Sequence, residues 1–319
     1  MSIDVAMENL VHSRATPIAN STHSGLTVVI PSYHGGRELL SCLGSLEFCV
    51  SADTHILVVD NASTDGSIDV AQAHFGSMEF LRNSRNVGFG SACNQGIERA
   101  LERGDEFVLL INQDTLAAPD LIERLIAFAK ETPRAGVIGA KTLSTQPMPD
   151  GSPRLLYAGA WKRCLPLWQK IPGIGKADRG QATQPFEVDY VWGHGMLLRT
   201  AALQEVGLFD PGFFMYYEDM DLCLRMKAAG WQVWCDPKAL MWHDVEDGPR
   251  AKKSDGWRWK LKLDSARHFH RKRYSAVTAE LLLFAHVVRE AASLAWDRNF
   301  QAAGHLIGAW RGGSGKGMS

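Results

Sequence analysis

The sequence predicts an α/β fold with a mostly parallel central sheet and helices on both faces. Three observations predict it: short apolar runs rich in β-branched residues, helical stretches between them, and polar residues gathered where each run ends. The 319 residues are 45% hydrophobic and 22% charged, enough for one large domain or two with a buried core. Global disorder is excluded by that composition.

The elements come in this order. Leu26–Pro31 is the first strand, and a helix covers roughly Arg37–Phe48. Next come a strand at His55–Asp60, a helix at Ser67–Phe75 and a short strand at Met78–Leu81. A helix at Gly90–Arg103 leads into Phe107–Asn112, and a helix at Pro119–Lys130 leads into Gly136–Ala140. This alternation implies right-handed crossovers between parallel strands. Beyond about residue 143 the rhythm changes, and 146–184, rich in Pro, Gly and Trp, reads as loop. Strand-like pieces return at Phe186–Val191 and Gly195–Leu198. A helix is expected at Glu218–Ala229, strands at Gln232–Cys235 and Ala239–His243, and two or three helices over 256–310.

The six cysteines form no C-x-x-C pair and no Cys/His metal spacing, which fits a reduced, cytoplasmic compartment. Residues 1–25 lack the apolar stretch of a signal peptide, and no run of 18 apolar residues occurs.

In open α/β sheets, ligands bind beyond the carboxyl ends of the strands. Those ends carry Ser32-Tyr33-His34, Asp60-Asn61, Asn112-Gln113-Asp114 and His243, with Asn86–Gly90 in a loop before a helix. Each has a plain alternative. Asp60 and Asp114 also suit turn caps, and a lone His is commonly structural. Asp114, at the end of a very apolar strand, suits a hard divalent cation completed by phosphate oxygens. Glu218, Asp219 and Asp221 crowd three carboxylates behind an aromatic run. The helix dipole favours acidic residues there, while apolar neighbours would raise a carboxyl pKa toward that of a general base. No G-x-G-x-x-G follows the first strand and no G-x-x-x-x-G-K-[ST] occurs, which disfavours dinucleotide and P-loop chemistry.

At these residues the chain resembles family 2 glycosyltransferases, in particular the bacterial rhamnosyltransferase-like branch. The matching stretches are Val28–Tyr33, Val58–Ser67, Asn86–Asn94, Leu109–Asp114, Val206–Asp210 and Phe213–Arg225, in the family's order. The resemblance implies the GT-A fold and an inverting transfer of a sugar, rhamnose being the first candidate, from a dTDP- or UDP-sugar. A glycan or lipid-diphosphate-linked acceptor of cell-surface polysaccharide synthesis is implied with it. Asp60 would bind the donor pyrimidine, with Pro31, Tyr33, Asn61, Asn86, Asn112 and Gln113 shaping the nucleotide pocket. The family's D-x-D motif is here Asn112-Gln113-Asp114, so one carboxylate is replaced by an amide. Asp114 and His243 would hold Mn2+ or Mg2+. Asp219 would be the base, beside Glu218, and Trp192, His194 and Asp221 are candidate acceptor contacts. His194 interrupts a segment that is normally built of small residues.

The implied organisation is a flexible N-terminus at 1–25 and a catalytic domain at 26–245. The catalytic domain divides into a nucleotide-binding half (26–143) and an acceptor-binding half (144–245). A basic helical extension (246–311) and a flexible tail (312–319) complete it. Rival readings are a nucleotidyltransferase of similar fold and a non-catalytic carbohydrate- or lipid-binding module.

The net charge of -1 hides a split: residues 250–319 carry +9 and residues 1–249 carry -10. Residues 250–273 alone hold ten Lys/Arg against two Asp, interleaved with Trp257 and Trp259. An anionic membrane surface suits that pattern, as does a helix face packed on the domain. Nucleic acid is disfavoured because no binding motif accompanies the charge. The expected location is cytoplasmic, peripheral on the inner face of the cell membrane, with oligomers permitted.

Overall fold

The computed structural model describes residues 25–51, 53–162, 169–170, 173–180, 182–243, 255–296 and 300–311. Several expectations lie outside these residues: the flexible 1–24 and 312–319, Cys164, and the basic residues Arg250, Lys252 and Lys253.

Strand β1 (Leu26–Ser32) leads through α1 (Gly36–Leu46) to β2 (Thr54–Asp60), then α2 (Ser67–His74), β3 (Glu79–Arg82), α3 (Phe89–Arg103) and β4 (Phe107–Ile111). Next are β5 (Thr115–Ala117), α4 (Leu121–Glu131), β6 (Ala135–Ser144), β7 (Leu155–Tyr157), β8 (Trp161–Lys162), β9 (Gln169–Lys170), β10 (Phe186–Glu187) and β11 (Gly195–Arg199). Then come α5 (Thr200–Val206), α6 (Glu218–Ala228), β12 (Gln232–His243), α7 (Asp255–Arg271), α8 (Ala276–Trp296) and α9 (Phe300–Arg311).

The sheet order is β10-β12-β6-β11-β4-β1-β2-β3. Strands β4, β1, β2 and β3 are mutually parallel, and β12 is parallel to β6. Between these groups β11 runs antiparallel to both β4 and β6. The mostly parallel GT-A-type sheet agrees with the expectation. Three details were not legible: β5 and α5 are additional elements, and β7–β9 fold part of the stretch read as loop. The two strands expected before His243 are one, with a register shift between Asp236 and Leu240. Pro237 lies in that interval and has no N–H for the ladder.

Both faces of β1, β4 and most of β2 are buried, which is why their sequences are nearly continuously apolar, whereas the edge strand β3 is partly exposed. Val29, Leu57, Val108 and Leu110 face one core with α3 and α6 residues such as Ala92 and Leu222. Val28, Ile30, Val58 and Leu109 face the other, with Leu39 and Leu43 of α1 and Leu125 of α4. Gly96 lets α3 lie close on β1, since an added Cβ would run into the Val29 side chain. The three C-terminal helices share a small core of Leu263, Ala266, Leu283, Val287 and Leu306. Among the described residues no helix is long and apolar enough to cross a membrane.

Candidate active site

Parallel pairing brings the ends of β1 and β2 level, Ser32 beside Asp60. The loops that leave them are tied together: His34 N–H donates to Ser63 Oγ at 2.8 Å, and Gly36 N–H to Asp65 Oδ2 at 3.2 Å. Holding this rim costs backbone strain, because His34 and Ala62 sit at φ 50° and 64°. Asp60 is buried, and its Oδ1 accepts the Ser63 N–H at 3.0 Å. Tyr33 is 42% exposed, its ring stacked on His34 at 4.1 Å. Pro31, inside β1 and buried, shapes the backbone behind them.

Two expected pocket residues turn their amides inward. Gln113 Oε1 accepts from Ser32 Oγ (2.7 Å) and Tyr33 N–H (2.8 Å), while its Nε2 donates to Tyr33 O at 3.2 Å. Gln113 thereby clamps the end of β1. Asn61 Oδ1 accepts from Asn83 Nδ2 (3.1 Å) and Val87 N–H (3.4 Å), and its Nδ2 donates to Gly88 O at 3.4 Å. Asn86 Oδ1 accepts the Gly88 N–H at 2.9 Å. Gly88 is at φ 89°, and a Cβ there would strike the Phe214 carbonyl oxygen. Only glycine allows this approach. It docks the Asn86 loop against the Phe213–Tyr217 segment, where Phe89 N–H donates to Phe214 O at 2.9 Å.

The end of β4 meets the end of β12 through β5. Antiparallel pairing sets His243 opposite Thr115. His243 Nε2 then lies 3.0 Å from Asp114 Oδ1 and 3.4 Å from Asn112 Nδ2. Buried Asn112 Oδ1 and His243 Nδ1 find no hydrogen-bond partner among the described residues. One carboxylate and one imidazole on facing strand ends fit an open cation site completed by ligand oxygens. A closed cluster of three or more His, Cys, Asp or Glu is absent among the described residues. His194 stacks obliquely on His243, ring centroids 4.9 Å apart, and shares a 2.9 Å hydrogen bond with Thr142 Oγ1. Burial first, and then His243, push the His194 pKa well below the ordinary value, so its ring is neutral.

The third wall is the N-terminus of α6. Asp219 Oδ1 accepts the Met220 N–H at 2.7 Å, and Oδ2 accepts the Gly193 N–H at 3.3 Å. Burial raises its pKa to about 6, partly offset by those amide donors. Glu218 is buried against Gly90 of α3, its Oε2 without a hydrogen-bond partner among the described residues. Desolvation, then the neighbouring Asp219, push Glu218 well above the usual range. Of the adjacent carboxyls, Glu218 is thus held protonated and Asp219 is the one that ionises near neutral pH. Trp192 stacks on Tyr157 at 4.8 Å and edges onto His194 at 5.5 Å. Thus Asp114, His243, His194, Trp192, Gly193 and Asp219 form one contiguous wall.

Asp221 does not join that wall, a correction to its expected acceptor contact. It is 0% exposed and ringed by Arg225 Nε (2.9 Å), Lys272 Nζ (3.0 Å) and Arg273 (2.7 Å). Helical spacing puts Arg225 four residues on, over the carboxylate, and the C-terminal segment supplies the other two cations. Lys272 also pairs with Asp210 at 2.6 Å. Much of the described basic run is engaged in this way. Lys260 and Arg267 pair with Asp264, and Arg271 pairs with Glu280. Lys262 lies over the Tyr216 and Trp259 rings. For these residues the packed-face reading describes the geometry.

Sequence reasoning missed what supports the Phe213–Tyr217 loop. Tyr216 and Tyr217 adopt φ 72° and 69°, a costly conformation for aromatics. Helix α7 braces them: Ser265 Oγ donates to Met215 O at 2.7 Å, and Phe269 packs on Tyr217 at 5.3 Å. The aromatic run and the basic run were each visible, but nothing local pairs them.

Comparison with known proteins agrees with this geometry. Residues 23–261 match the profile of "Glycosyltransferase like family 2". Over 236 residues the chain is 33% identical to the N-acetylglucosaminyl-diphospho-decaprenol L-rhamnosyltransferase of Mycobacterium tuberculosis, covering 68% of this chain and 75% of that one. The dTDP-rhamnosyl transferase RfbF of Shigella flexneri is 24% identical over 229 residues, 70% of this chain and 71% of that one. In fold, the chain is similar to a mannosyltransferase of Pyrobaculum calidifontis solved with GDP-Man and Mn2+. The TM-score is 0.57 at 13% identity, over 96% of this chain and 92% of that one. With a family match across the sheet, the rim and the paired carboxyls, the chain belongs to glycosyltransferase family 2 and is an enzyme of sugar transfer.

Proposed function

We propose that the protein transfers rhamnose from a dTDP-sugar to a lipid-diphosphate-linked glycan, with inversion at the anomeric carbon. The single observation that carries the chemistry is the Glu218–Asp219 pair, whose environments separate a neutral acid from an ionisable base. The names of the rhamnosyltransferase relatives support the sugar and the acceptor class.

The Tyr33 ring offers a stacking face for the pyrimidine, and Asp60 its second carboxylate oxygen for a base N–H. Asn61 and Gln113 position that rim rather than touch the base. Asp114 and His243 would hold a divalent cation, whose chemistry is to neutralise charge on the diphosphate. Asp219 takes the acceptor hydroxyl proton as that oxygen bonds to the anomeric carbon. The bond from that carbon to the diphosphate oxygen breaks, and the nucleoside diphosphate leaves with the electron pair. A single displacement with one base and no carboxylate nucleophile inverts the configuration. Gly193 N–H aims the Asp219 carboxylate, while Trp192 and His194 line the acceptor side.

The test offers dTDP-, UDP- and GDP-sugars with Mn2+ or Mg2+ and a lipid-diphosphate N-acetylglucosamine acceptor. The expected result is transfer from dTDP-rhamnose, with a product of inverted anomeric configuration. Transfer from another donor alone overturns the choice of sugar, and a retained configuration overturns the single displacement.

A further inference from the structure

Helix α6 begins directly at Glu218, and its N-cap, Tyr217, supplies no side-chain cap. With no side chain capping the first turn, its entry angle is left to the preceding backbone. That backbone is Tyr216 and Tyr217, both in the left-handed region at φ 72° and 69°. Two consecutive aromatics there are strained, and such a conformation persists only where surrounding contacts over-determine it.

One face of α7, with the turn that follows it, supplies those contacts. Ser265, His268, Phe269, Lys272 and Arg273 fall at i, i+3, i+4, i+7 and i+8, a single helical stripe. Ahead of the carboxyl pair, buried Ser265 donates from Oγ to Met215 O at 2.7 Å, and buried Phe269 packs on the Tyr217 ring at 5.3 Å. His268 Nε2 lies 3.1 Å from Asp210 Oδ2, and its ring edges onto Phe213 at 4.6 Å. Behind the pair, Lys272 and Arg273 hold Asp221 at 3.0 Å and 2.7 Å. The stripe thus grips the chain on both sides of Glu218 and Asp219. All five residues lie beyond residue 261, where the family match ends.

We propose that Ser265 and Phe269 are positioning residues for the sugar transfer. They hold the Tyr216–Tyr217 turn, and through it the direction in which Asp219 meets the acceptor hydroxyl. The inference rests on the reading of Asp219 as base. The donor rim at Tyr33 and Asp60 is built on β1 and β2, so loss of the brace should cost the chemical step and spare donor binding.

The experiment measures kcat and donor KM of the full chain with whichever donor of the panel above is transferred. Ser265→Ala and Phe269→Leu should each lower kcat on the order of tenfold or more, with the donor KM unchanged. Phe269→Leu keeps an apolar side chain at the buried position. Amide hydrogen exchange over residues 213–222 should quicken in both variants, a readout that does not depend on turnover. Leu306→Ala is the control, because it opens a cavity in the C-terminal core on α9, off the stripe. It should lower the melting temperature more than Ser265→Ala does and keep the wild-type kcat. Wild-type kcat in either brace variant, or unchanged exchange over 213–222, overturns the inference. An equal kcat loss in Leu306→Ala also overturns it, since α7 would then be a stabilising support only. The base reading fails separately, by retained transfer in Asp219→Asn, and takes the inference with it.

Discussion

The backbone N–H of Gly193 donates to Asp219 Oδ2 across 3.3 Å, joining the segment before β11 to the first turn of α6. A carboxylate held by two amide donors, here Gly193 and Met220, has its lone pairs aimed rather than free to rotate. Gly193 packs closely here: an added Cβ would lie 2.7 Å from the Phe89 ring, which would have to move.

Asp219→Asn should keep the side chain's size and one of its two amide contacts while removing the proposed base. Transfer should fall on the order of 10²- to 10⁴-fold while nucleoside diphosphate binding, followed by calorimetry, stays within error. Retained transfer would remove Asp219 from the role of base.

The wild-type rate should rise with pH through an apparent pKa of about 6, the value to which burial brings Asp219. The direction comes from the base needing to be ionised. A pH–rate profile flat from mildly acidic to neutral pH would contradict it.

The same burial makes the pair a stability cost. A carboxyl whose folded pKa is raised binds its proton more tightly when folded. Its contribution is full below the unfolded value of 3.8 and declines as pH rises to about 6 for Asp219, and further for Glu218. Glu218→Gln should thus stabilise the protein at neutral pH, read by urea denaturation, with little gain at pH values below the ordinary carboxyl range.

Asp221→Asn should do the opposite. It leaves Arg225, Lys272 and Arg273 around an uncharged buried group and should cost about 3 kcal/mol. Burial alone would raise the Asp221 pKa, but Arg273, Arg225 and Lys272 hold it below the usual 3.8. Its contribution is therefore present at neutral pH and fades as pH falls through that low value. Denaturation curves of wild type and variant should converge in strong acid.

Asp114→Ala and His243→Ala should each abolish the thermal shift that Mn2+ adds to nucleoside diphosphate binding. The shift from nucleotide alone should remain, because the proposed base pocket at Tyr33 and Asp60 is untouched. A preserved Mn2+ increment in both variants would place the cation elsewhere.

The parallel half of the sheet and its polar rim were legible from local sequence. Strands buried on both faces must be apolar throughout, so β1, β2 and β4 announce themselves, and the polar residues at their carboxyl ends form the rim. The paired carboxyls after an aromatic run were legible for the same local reason. The partners of these groups came from tertiary packing. Whether Gln113 and Asn61 meet a ligand or pin a backbone depends on loops 80 and 22 residues away. Whether Asp221 faces an acceptor or three cations depends on the segment at the end of helix α7, up to 52 residues downstream. Local composition sets which groups are charged or apolar. Long-range packing sets which of them desolvate one another, and that distinction turned a basic run into a brace.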